Sequence, residues 1–234
     1  MNVMMIDCET TNTLEDPIAY DVGFQIFNEN GNVLDEASMV NSDIFLDNDL
    51  MESAYFAEKI PHYWNEIRAG KRDLMSWYSI KQRLYGAYAF HNCEIVCAHN
   101  ARFDYRAIHL TQRYITTSKH RFVLPWGSTW WDTLKMAREV LKNDVNYKYF
   151  CQFMGYVTVR GQPRYTAETI YKYITGDLDF EEAHTGLEDV QIEKEIFLYC
   201  ISRKPDIDGR LWVPDPEPPK KLEPWEIELQ ELLA

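Results

Sequence analysis

The residues with the clearest chemical potential in this chain are four carboxylates and one histidine, spread over three short segments. The segments are MMIDCETTNT near the start, CAHNARFDYRAI in the middle and EAHTGLEDVQIEKEI near the end. Carboxylate oxygens bind hard divalent cations, and a histidine titrates near neutral pH and can therefore take a proton from water. Together these groups predict a hydrolytic site that holds two divalent metals. The five residues are Asp7, Glu9, Asp104, His184 and Asp189.

The first segment places two carboxylates at the end of an apolar run. Residues 2–6 are almost wholly apolar, which predicts a strand buried inside a sheet. Because side chains alternate along a strand, Asp7 and Glu9 point to one face, and Cys8 points to the other, towards packing. Two adjacent carboxylates repel each other unless a cation neutralises them. The pair therefore predicts a cation site, and rigid oxygen ligands favour Mg²⁺ or Mn²⁺ over zinc.

The third segment contains a readable helix start. The letters TGLE fit a capping box, with Thr185 as the N-cap and Glu188 reaching back to its backbone. Asp189 then lies in the first turn of the helix, and His184 lies on the preceding loop. A loop position allows both side chains to face one site. The alternative is an ordinary surface histidine beside a helix cap.

The middle segment predicts a strand, a turn and a helix in succession. The strand covers residues 94–98, the turn lies at His99-Asn100, and the helix begins near residue 101. Asp104 then lies in the opening turns of that helix, beyond the carboxyl end of the strand. Crevices at such strand ends are where α/β sheets bind their ligands.

These segments, in this order, resemble the DEDDh family of 3′–5′ exonucleases. The matching patterns are Asp7-x-Glu9, Asn100-x-x-Phe103-Asp104 and His184-x4-Asp189. The histidine placed four residues clear of the last aspartate is the mark of that family. The resemblance covers about residues 1–202 of the chain.

Two further positions bear on the resemblance. Trp131-Asp132-Thr133-Leu134 is similar to a D-T-L segment that opens a helix in many family members. Family members often have glycine where this chain has Asn12. Asparagine tolerates left-handed backbone conformations, so this departure from the family pattern is mild.

The resemblance implies a two-metal hydrolysis of phosphodiester bonds from a 3′ end, with release of nucleoside 5′-monophosphates. Two Mg²⁺ or Mn²⁺ ions would be held by the four carboxylates, and His184 would act as the general base towards water. Substrate contacts are implied at four further positions. Phe103 could stack on a base or pack in the core, and Asn100 could bond near the phosphate or fix its loop. The four positions are Thr10, Thr11, Asn100 and Phe103.

Bulk properties indicate one globular domain with a substantial core. The chain has 234 residues and 46% hydrophobic residues, which excludes disorder, and no apolar run approaches membrane-spanning length. A catalytic aspartate at position 7 leaves no room for a cleavable signal peptide. The five cysteines show no paired zinc spacing. We therefore expect reduced thiols, a cytoplasmic location and no membrane partner.

The net charge of −13 is unusual for an enzyme that binds nucleic acid. An acidic surface weakens non-specific binding to phosphates, so we expect modest affinity for short single-stranded 3′ ends of DNA or RNA, or delivery by a partner. Basic and aromatic residues alternate between the second and third segments and could bind a single strand. An ordinary solvated helix with inward tyrosines explains them as well. They are Arg160, Arg164, Tyr165, Tyr171, Lys172 and Tyr173.

The remaining pattern predicts an α/β protein with a mixed five-stranded sheet flanked by helices, similar to the ribonuclease H-like fold. An Asn-Gly turn at 29–32 predicts a hairpin. The strands are expected at 2–6, 21–27, 33–40, 94–98 and 121–124. The helices are expected at 59–69, 74–89, 101–115, 130–142, 146–154, 166–175 and 185–202. The aromatic-rich stretch 43–90 could floor a substrate groove or pack a helical side of the core.

The end of the chain differs in composition and predicts a boundary near residue 202. Six of the ten prolines lie at Pro205 and beyond, which is typical of an extended tether. The tail 203–234 ends in a short amphipathic helix candidate at 222–234. That segment could fold back on its own domain, dock a protein partner or mediate self-association.

Two classes of function remain open on the sequence. The first is a metal-dependent 3′–5′ exonuclease acting on DNA or RNA, and DNA is favoured by family analogy alone. The second is a non-catalytic relative that keeps the fold as an interaction module. All four acids and the histidine are present, which favours the enzyme.

Overall fold

The structure, a computed structural model, describes residues 1–118 and 122–211, and within these ranges six strands form one mixed sheet. The strands lie side by side in the order β4-β3-β2-β1-β5-β6. They are β1 Asn2–Asn12, β2 Pro17–Asn28, β3 Val33–Asn41, β4 Asp73–Met75, β5 Ile95–Ala98 and β6 Thr129–Asp132. The predicted α/β class is confirmed, and the sheet has one strand more than expected because β4 extends the edge next to β3.

Helices cover both faces of this sheet. Those from residue 60 onwards agree with the predicted segments within a few residues, whereas the two short helices between residues 42 and 51 have no counterpart in the prediction. A short 3₁₀ turn at Ala57–Lys59 precedes the third helix. The helices are α1 Ser42–Phe45, α2 Asn48–Met51, α3 Ile60–Arg68, α4 Trp77–Phe90, α5 Arg102–Ile115, α6 Thr133–Leu141, α7 Val145–Met154, α8 Ala167–Thr175 and α9 Gly186–Arg203.

The strand predicted at 121–124 is wrong for the described residues 122–124, which belong to no strand. Val123 and Leu124 are buried in the core, so the apolar run reflects packing. Pro125 follows directly and has no N–H for a ladder hydrogen bond. Strand β6 begins only at Thr129 and takes residues 130–132 from the start of the predicted helix.

Strand β1 lies inside the sheet and carries the first of the three segments that the sequence predicts to form the site. It pairs antiparallel with β2 and parallel with β5, and β5 pairs parallel with β6. Residues 3–6 are fully buried, as expected for a strand covered on both faces. Because β1, β5 and β6 run in parallel, their carboxyl ends meet at one edge of the sheet.

The side chains on the two faces of β1 pack into two separate hydrophobic cores. Met4 and Ile6 pack with Trp77 of α4 and residues of α5 on one face. Val3 and Met5 pack with residues of α6 to α9 on the other. The predicted hairpin between β2 and β3 is present, and Gly31 takes the left-handed conformation of its turn with φ +79°.

Residues beyond α9 continue along the sheet as far as the structure describes them. The Asp132 N–H donates to the Gly209 carbonyl at 2.8 Å, and the Leu211 N–H donates to the Trp130 carbonyl at 2.7 Å. Residues 204–211 therefore belong to the folded unit, whereas the rest of the predicted tail, including 222–234, lies outside the described residues.

The structure bears on two expectations drawn from the composition, those about the cysteines and about membrane-spanning segments. All five cysteines are buried and unpaired. Among the helices of the described ranges, none combines the length and the apolar character needed to cross a bilayer.

Candidate active site

The carboxyl end of β1 and the start of α5 bring the first three acids together. Asp7 lies opposite Gly23 of β2 and Glu9 lies opposite Asp21, whereas Cys8 packs in the core as predicted. The Cys8 N–H donates to Oδ1 of Asp104 at 3.1 Å, which fixes that buried carboxylate beside the strand. Asp7, Glu9 and Asp104 therefore lie together at the carboxyl end of β1.

The start of α9 reaches the same place because two glycines allow its backbone to lie directly against β2. A Cβ atom on Gly23 would be 2.1 Å from the carbonyl carbon of Gly186. Asp189 follows Gly186 by one turn and is 5% exposed. The glycine pair therefore explains how the third segment reaches the end of β1.

The cap of α9 differs in detail from the predicted capping box. Thr185 is the N-cap residue as expected, but its N–H is bonded by Oδ2 of Asp189 at 3.0 Å and not by Glu188. Glu188 instead accepts a hydrogen bond from the Thr185 hydroxyl at 2.7 Å. Arg72 also donates to Glu188, at 2.8 Å.

A buried polar network contacts the backbone at the start of α9 and stabilises its cap. Oδ2 of Asp21 accepts hydrogen bonds from the Gly186 N–H at 3.0 Å, the Tyr63 hydroxyl at 2.7 Å and Arg72 at 3.2 Å. Arg72 is almost fully buried and also contacts Ser38 and Glu66. We call this set the Asp21 network; it comprises Asp21, Ser38, Tyr63, Glu66, Arg72 and Glu188.

His184 lies on the loop before α9, as predicted, in a left-handed backbone conformation with φ +50°. Its ring stacks on Phe56 with a centroid distance of 4.3 Å and an interplanar angle of 12°. The Lys59 ammonium donates to the carbonyl of Ala183 and ties down the same loop. Burial, followed by the charge of Lys59, lowers the pKa of His184, so the neutral imidazole that can accept a proton prevails at neutral pH.

One cavity of about 670 Å³ contains all five predicted catalytic residues. Glu9, His184 and Asp189 offer ligand atoms that all lie within 4.8 Å of one another. Asp7 and Asp104 line the same cavity beside them. The three sequence segments therefore converge on one site.

In addition to burial, the carboxylates of the cavity raise one another's pKa values, and the nearby charge of Lys59 offsets this only in part. Asp7, Glu9, Asp104 and Asp189 are the carboxylates that the sequence predicts to be catalytic, and we refer to these four below as the catalytic carboxylates. Burial first, and then neighbouring acids, raise the pKa of Asp7 well above its usual range. Burial and neighbouring acids likewise raise the pKa of Glu9 to about 8 and that of Asp189 to about 8. Ionising all four groups at neutral pH requires a cation among them.

The residues fit a divalent metal. Oδ1 of Asp189 is buried and has no hydrogen-bond partner in the described part of the chain. Buried polar atoms are rarely left unpaired, so such an oxygen is available to a ligand. Carboxylate oxygens suit Mg²⁺ and Mn²⁺, and the imidazole of His184 beside Glu9 also suits softer divalent ions.

Two acids of this cavity, Glu182 and Glu193, are absent from the sequence prediction. Glu193 lies one helical turn after Asp189 on α9, is 3% exposed, and bonds to the backbone of His99. Its Oε2 atom has no partner within the described ranges. Burial, followed by Asp104 and Asp189, raises the pKa of Glu193. For Glu193, the i+4 spacing from Asp189 was the available signal, because it places these two acids on one helix face.

The predicted substrate contacts divide into two groups. Asn100, with φ +64°, and Phe103 line the cavity. Thr10 and Thr11 do not line it: a bulge follows Glu9, and the Thr11 hydroxyl bonds to the Leu50 carbonyl and to Ser53. Substrate contact by any of the four remains a prediction.

The mixed basic and aromatic cluster also divides. Arg164 and Tyr165 line the catalytic cavity. Lys172 is buried and pairs with Glu168 at 2.6 Å. Tyr171 and Tyr173 pack inward against the core beside α9, which is the alternative that the sequence left open.

Asp132 and Asn12 behave as their sequence context indicates. Asp132 caps α6, because its side chain accepts hydrogen bonds from the N–H groups of Leu134 at 2.9 Å and Asn100 at 3.0 Å. It thereby joins the D-T-L segment to the cavity loop. Asn12 has φ +72°, a conformation that glycine or asparagine tolerates.

Comparison with known proteins identifies the fold. No family model matches the chain, and no curated protein matches it. Solved structures do match. The chain has the fold of exonuclease I and exonuclease X.

Three solved structures illustrate the likeness. Exonuclease X in complex with 5′ overhanging duplex DNA has a TM-score of 0.51 and 17% identity over 88% of this chain and 95% of that chain. Exonuclease I from Methylocaldum szegediense has a TM-score of 0.59 and 16% identity over 88% and 41%. E. coli exonuclease I in complex with a dT13 oligonucleotide has a TM-score of 0.54 and 17% identity over 87% and 42%.

These matches confirm the predicted ribonuclease H-like architecture. The chain spans nearly the whole of the exonuclease X chain but only about two fifths of each exonuclease I chain. At such identities the likeness concerns the fold, and the chemistry depends on the residues in the cavity.

Proposed function

We propose that this protein is a metal-dependent 3′–5′ exonuclease that removes nucleoside 5′-monophosphates from the 3′ end of single-stranded nucleic acid. The observation that carries the proposal is the convergence of five residues from three distant segments on one cavity. Their pattern and order match a nuclease motif, and the fold is shared with exonucleases.

The catalytic carboxylates are suited to hold two divalent cations, Mg²⁺ or Mn²⁺. When bound, such ions supply Lewis-acid stabilisation of the charge that develops on phosphate oxygens. Asp104, Asp189 and Glu9 all lie close enough to Asp7 to raise its pKa beyond the effect of burial, which supports a shared set of metal ligands. Cys8 and Thr185 orient two of these groups by backbone hydrogen bonds.

His184 is assigned the role of general base. Its neutral form accepts a proton, and its ring nitrogen lies within 4.8 Å of ligand atoms of Glu9 and Asp189, which supports this role. Phe56 holds the ring plane by stacking. His184→Ala is therefore expected to lower kcat far more than it weakens binding.

The substrate is assigned as single-stranded DNA, with RNA as the alternative. Support for DNA comes from a neighbour of the same fold that was solved with a dT13 oligonucleotide. Proteins distinguish the two sugars by contacts to the 2′-hydroxyl. Phe103 and Asn100 are the cavity residues nearest in type to base and phosphate contacts.

Gel analysis of 5′-labelled single-stranded DNA and RNA of equal sequence tests the proposal. With Mg²⁺ or Mn²⁺ the wild-type protein should produce a ladder that shortens from the 3′ end, and the Asp7→Ala protein should not. The better-cleaved strand identifies the preferred sugar. If a well-folded wild-type protein cleaves neither strand, the enzyme assignment is wrong and the fold serves as an interaction module.

A further inference from the structure

A second cavity of about 710 Å³ lies beside the catalytic one. Its lining includes four basic side chains, Lys135, Arg138, Lys142 and Lys204, and three acidic ones, Asp132, Glu139 and Asp208. The two cavities share four lining residues, so they lie on either side of a common wall. In a chain with 24 basic and 37 acidic residues, a concentration of cations beside an acidic site is unexpected. The shared residues are Asn100, Leu134, Arg138 and Tyr165.

The cations of the second cavity form a stripe on α6. Lys135, Arg138 and Lys142 are spaced at i, i+3 and i+7, so they lie on one helix face, with neighbouring Cβ atoms about 5–6 Å apart. Glu139 forms ion pairs with Lys142 at 2.5 Å and with Lys204 at 3.0 Å, so Lys142 already has an acidic partner. The outer end of the stripe is thus neutralised internally.

Arg138 and Lys135, at the inner end of the stripe, are not neutralised by an ion pair in the part of the chain that the structure describes. Arg138 is exposed and forms no ion pair with any residue in the described ranges, and the same holds for Lys135. The Lys135 ammonium donates instead to the Arg210 carbonyl at 2.8 Å. On the catalytic side, Arg164 uses Nε for the Val157 carbonyl at 3.1 Å. Three cations that form no ion pair within the described residues therefore follow one another from the catalytic cavity to the second, and Asp208 is the acid that lies near Lys135.

Arg138 is held at the boundary between the cavities. Its guanidinium lies over the ring of Tyr165, 5.8 Å from the centroid. The Tyr165 carbonyl bonds to Nε2 of His99 at 2.9 Å, and Nδ1 of His99 contacts Thr133 at 2.9 Å. His99 directly precedes Asn100, so the loop that lines the catalytic cavity also fixes the position of Arg138.

We propose that Arg138 binds a backbone phosphate of the substrate strand as the strand passes from the catalytic cavity over α6, with Arg164 before it and Lys135 after it. The proposal rests on the proposed nuclease function and names the path of the nucleotides on the 5′ side of the cleaved bond. A guanidinium stacked on an aromatic ring presents its edge to a phosphate in fixed geometry. Local cations of this kind offset the repulsion between phosphates and an acidic protein.

The test compares Arg138→Ala with Arg113→Ala, which removes the same charge from an exposed position on α5 outside both cavities. Steady-state cleavage is measured on oligonucleotides of about twelve and about three nucleotides, over a range of salt concentrations. Arg138→Lys keeps the charge but loses the planar fork, and it should have an intermediate KM.

For the longer strand, Arg138→Ala should raise KM roughly fivefold to tenfold while Arg113→Ala leaves it at the wild-type value. The slope of log affinity against log salt should fall by about 0.7 for one lost phosphate contact. The increase in KM should shrink on the shorter strand. If both alanine variants show the same KM and the same slope, the strand does not contact Arg138. A wild-type protein that cleaves nothing contradicts the proposed function itself.

Discussion

Two groups of buried carboxylates lie on either side of the start of α9, and the fold gives them opposite kinds of neighbours. The carboxylate of Asp21 receives three hydrogen bonds on Oδ2, one of them from the buried guanidinium of Arg72. The carboxylate of Asp7 receives none from the described residues, and its neighbours are other acids. The two side chains belong to paired strands, with Asp21 opposite Glu9 and Asp7 opposite Gly23.

The difference between the groups separates structural charge from functional charge. At Asp21, burial raises the pKa, and Arg72, Gly186 and Tyr63 oppose it. At Asp7, burial and four neighbouring acids all raise the pKa. A carboxylate with internal partners stabilises the fold, whereas one with only like-charged neighbours is prepared for an external cation.

Replacing one acid of the catalytic group should have the largest effect, and it should fall on activity. Asp7→Ala removes a metal ligand, and we expect loss of about 10³-fold or more in kcat, since metal ligation contributes several kcal/mol to the barrier. Without metal, the free energy of unfolding should be equal to or above that of wild type, because repulsion is relieved. Cleavage assays and urea unfolding measure the two quantities; retained activity would contradict the metal assignment.

The reverse pattern is expected for Asp21→Ala. This change leaves Arg72 without its most buried partner and removes the acceptor of the Gly186 N–H. We expect a loss of about 3 to 5 kcal/mol in the free energy of unfolding. Urea unfolding of Asp21→Ala beside Asp7→Ala makes the comparison direct. Equal stabilities of the two variants would show that the distinction between the groups is wrong.

The pH dependence should sharpen the contrast through Glu9 and Asp189, whose pKa values rise to about 8 from ordinary values of 4.5 and 3.8. Between these limits the folded protein binds more protons than the unfolded chain, so stability without metal should fall as pH rises from about 4 to 8. Mg²⁺ binds the ionised groups, and its stabilising effect should therefore be larger at pH 8 than at pH 5. Thermal unfolding with Mg²⁺ or EDTA checks this, and an equal Mg²⁺ effect at both pH values would contradict it.

The smallest expected effect concerns Glu193, the acid that lies one helical turn after Asp189 on α9. At pH 8, Glu193→Gln should raise the free energy of unfolding without metal by on the order of 1 kcal/mol, because it removes a buried like charge. The Mg²⁺-induced stabilisation should also decrease. Glu195→Gln, on the exposed side of α9, serves as the control. If the two variants are equally stable, Glu193 does not belong to the repelling group.

The sequence determined the acids, the histidine and the order of the elements that carry them. Alternation along β1 fixed Asp7 and Glu9 on one face, because side-chain direction in a strand depends only on the backbone. The loop position of His184 followed from the helix cap at Thr185, which is also local. The α/β class followed from strand and helix periods of the same local kind.

Only the tertiary structure decided which residues meet across long separations. The pairing of β4 with β3, the path of 122–124 and the approach of Gly23 to Gly186 depend on which surfaces pack together. The same holds for Phe56 against His184, because no local pattern links these two residues. The i+4 spacing puts Glu193 on the helix face of Asp189, but only tertiary packing places that face in the cavity. Tertiary packing also separated the internally paired Asp21 from the unpaired Asp7, since partners such as Arg72 lie fifty-one residues away in the chain.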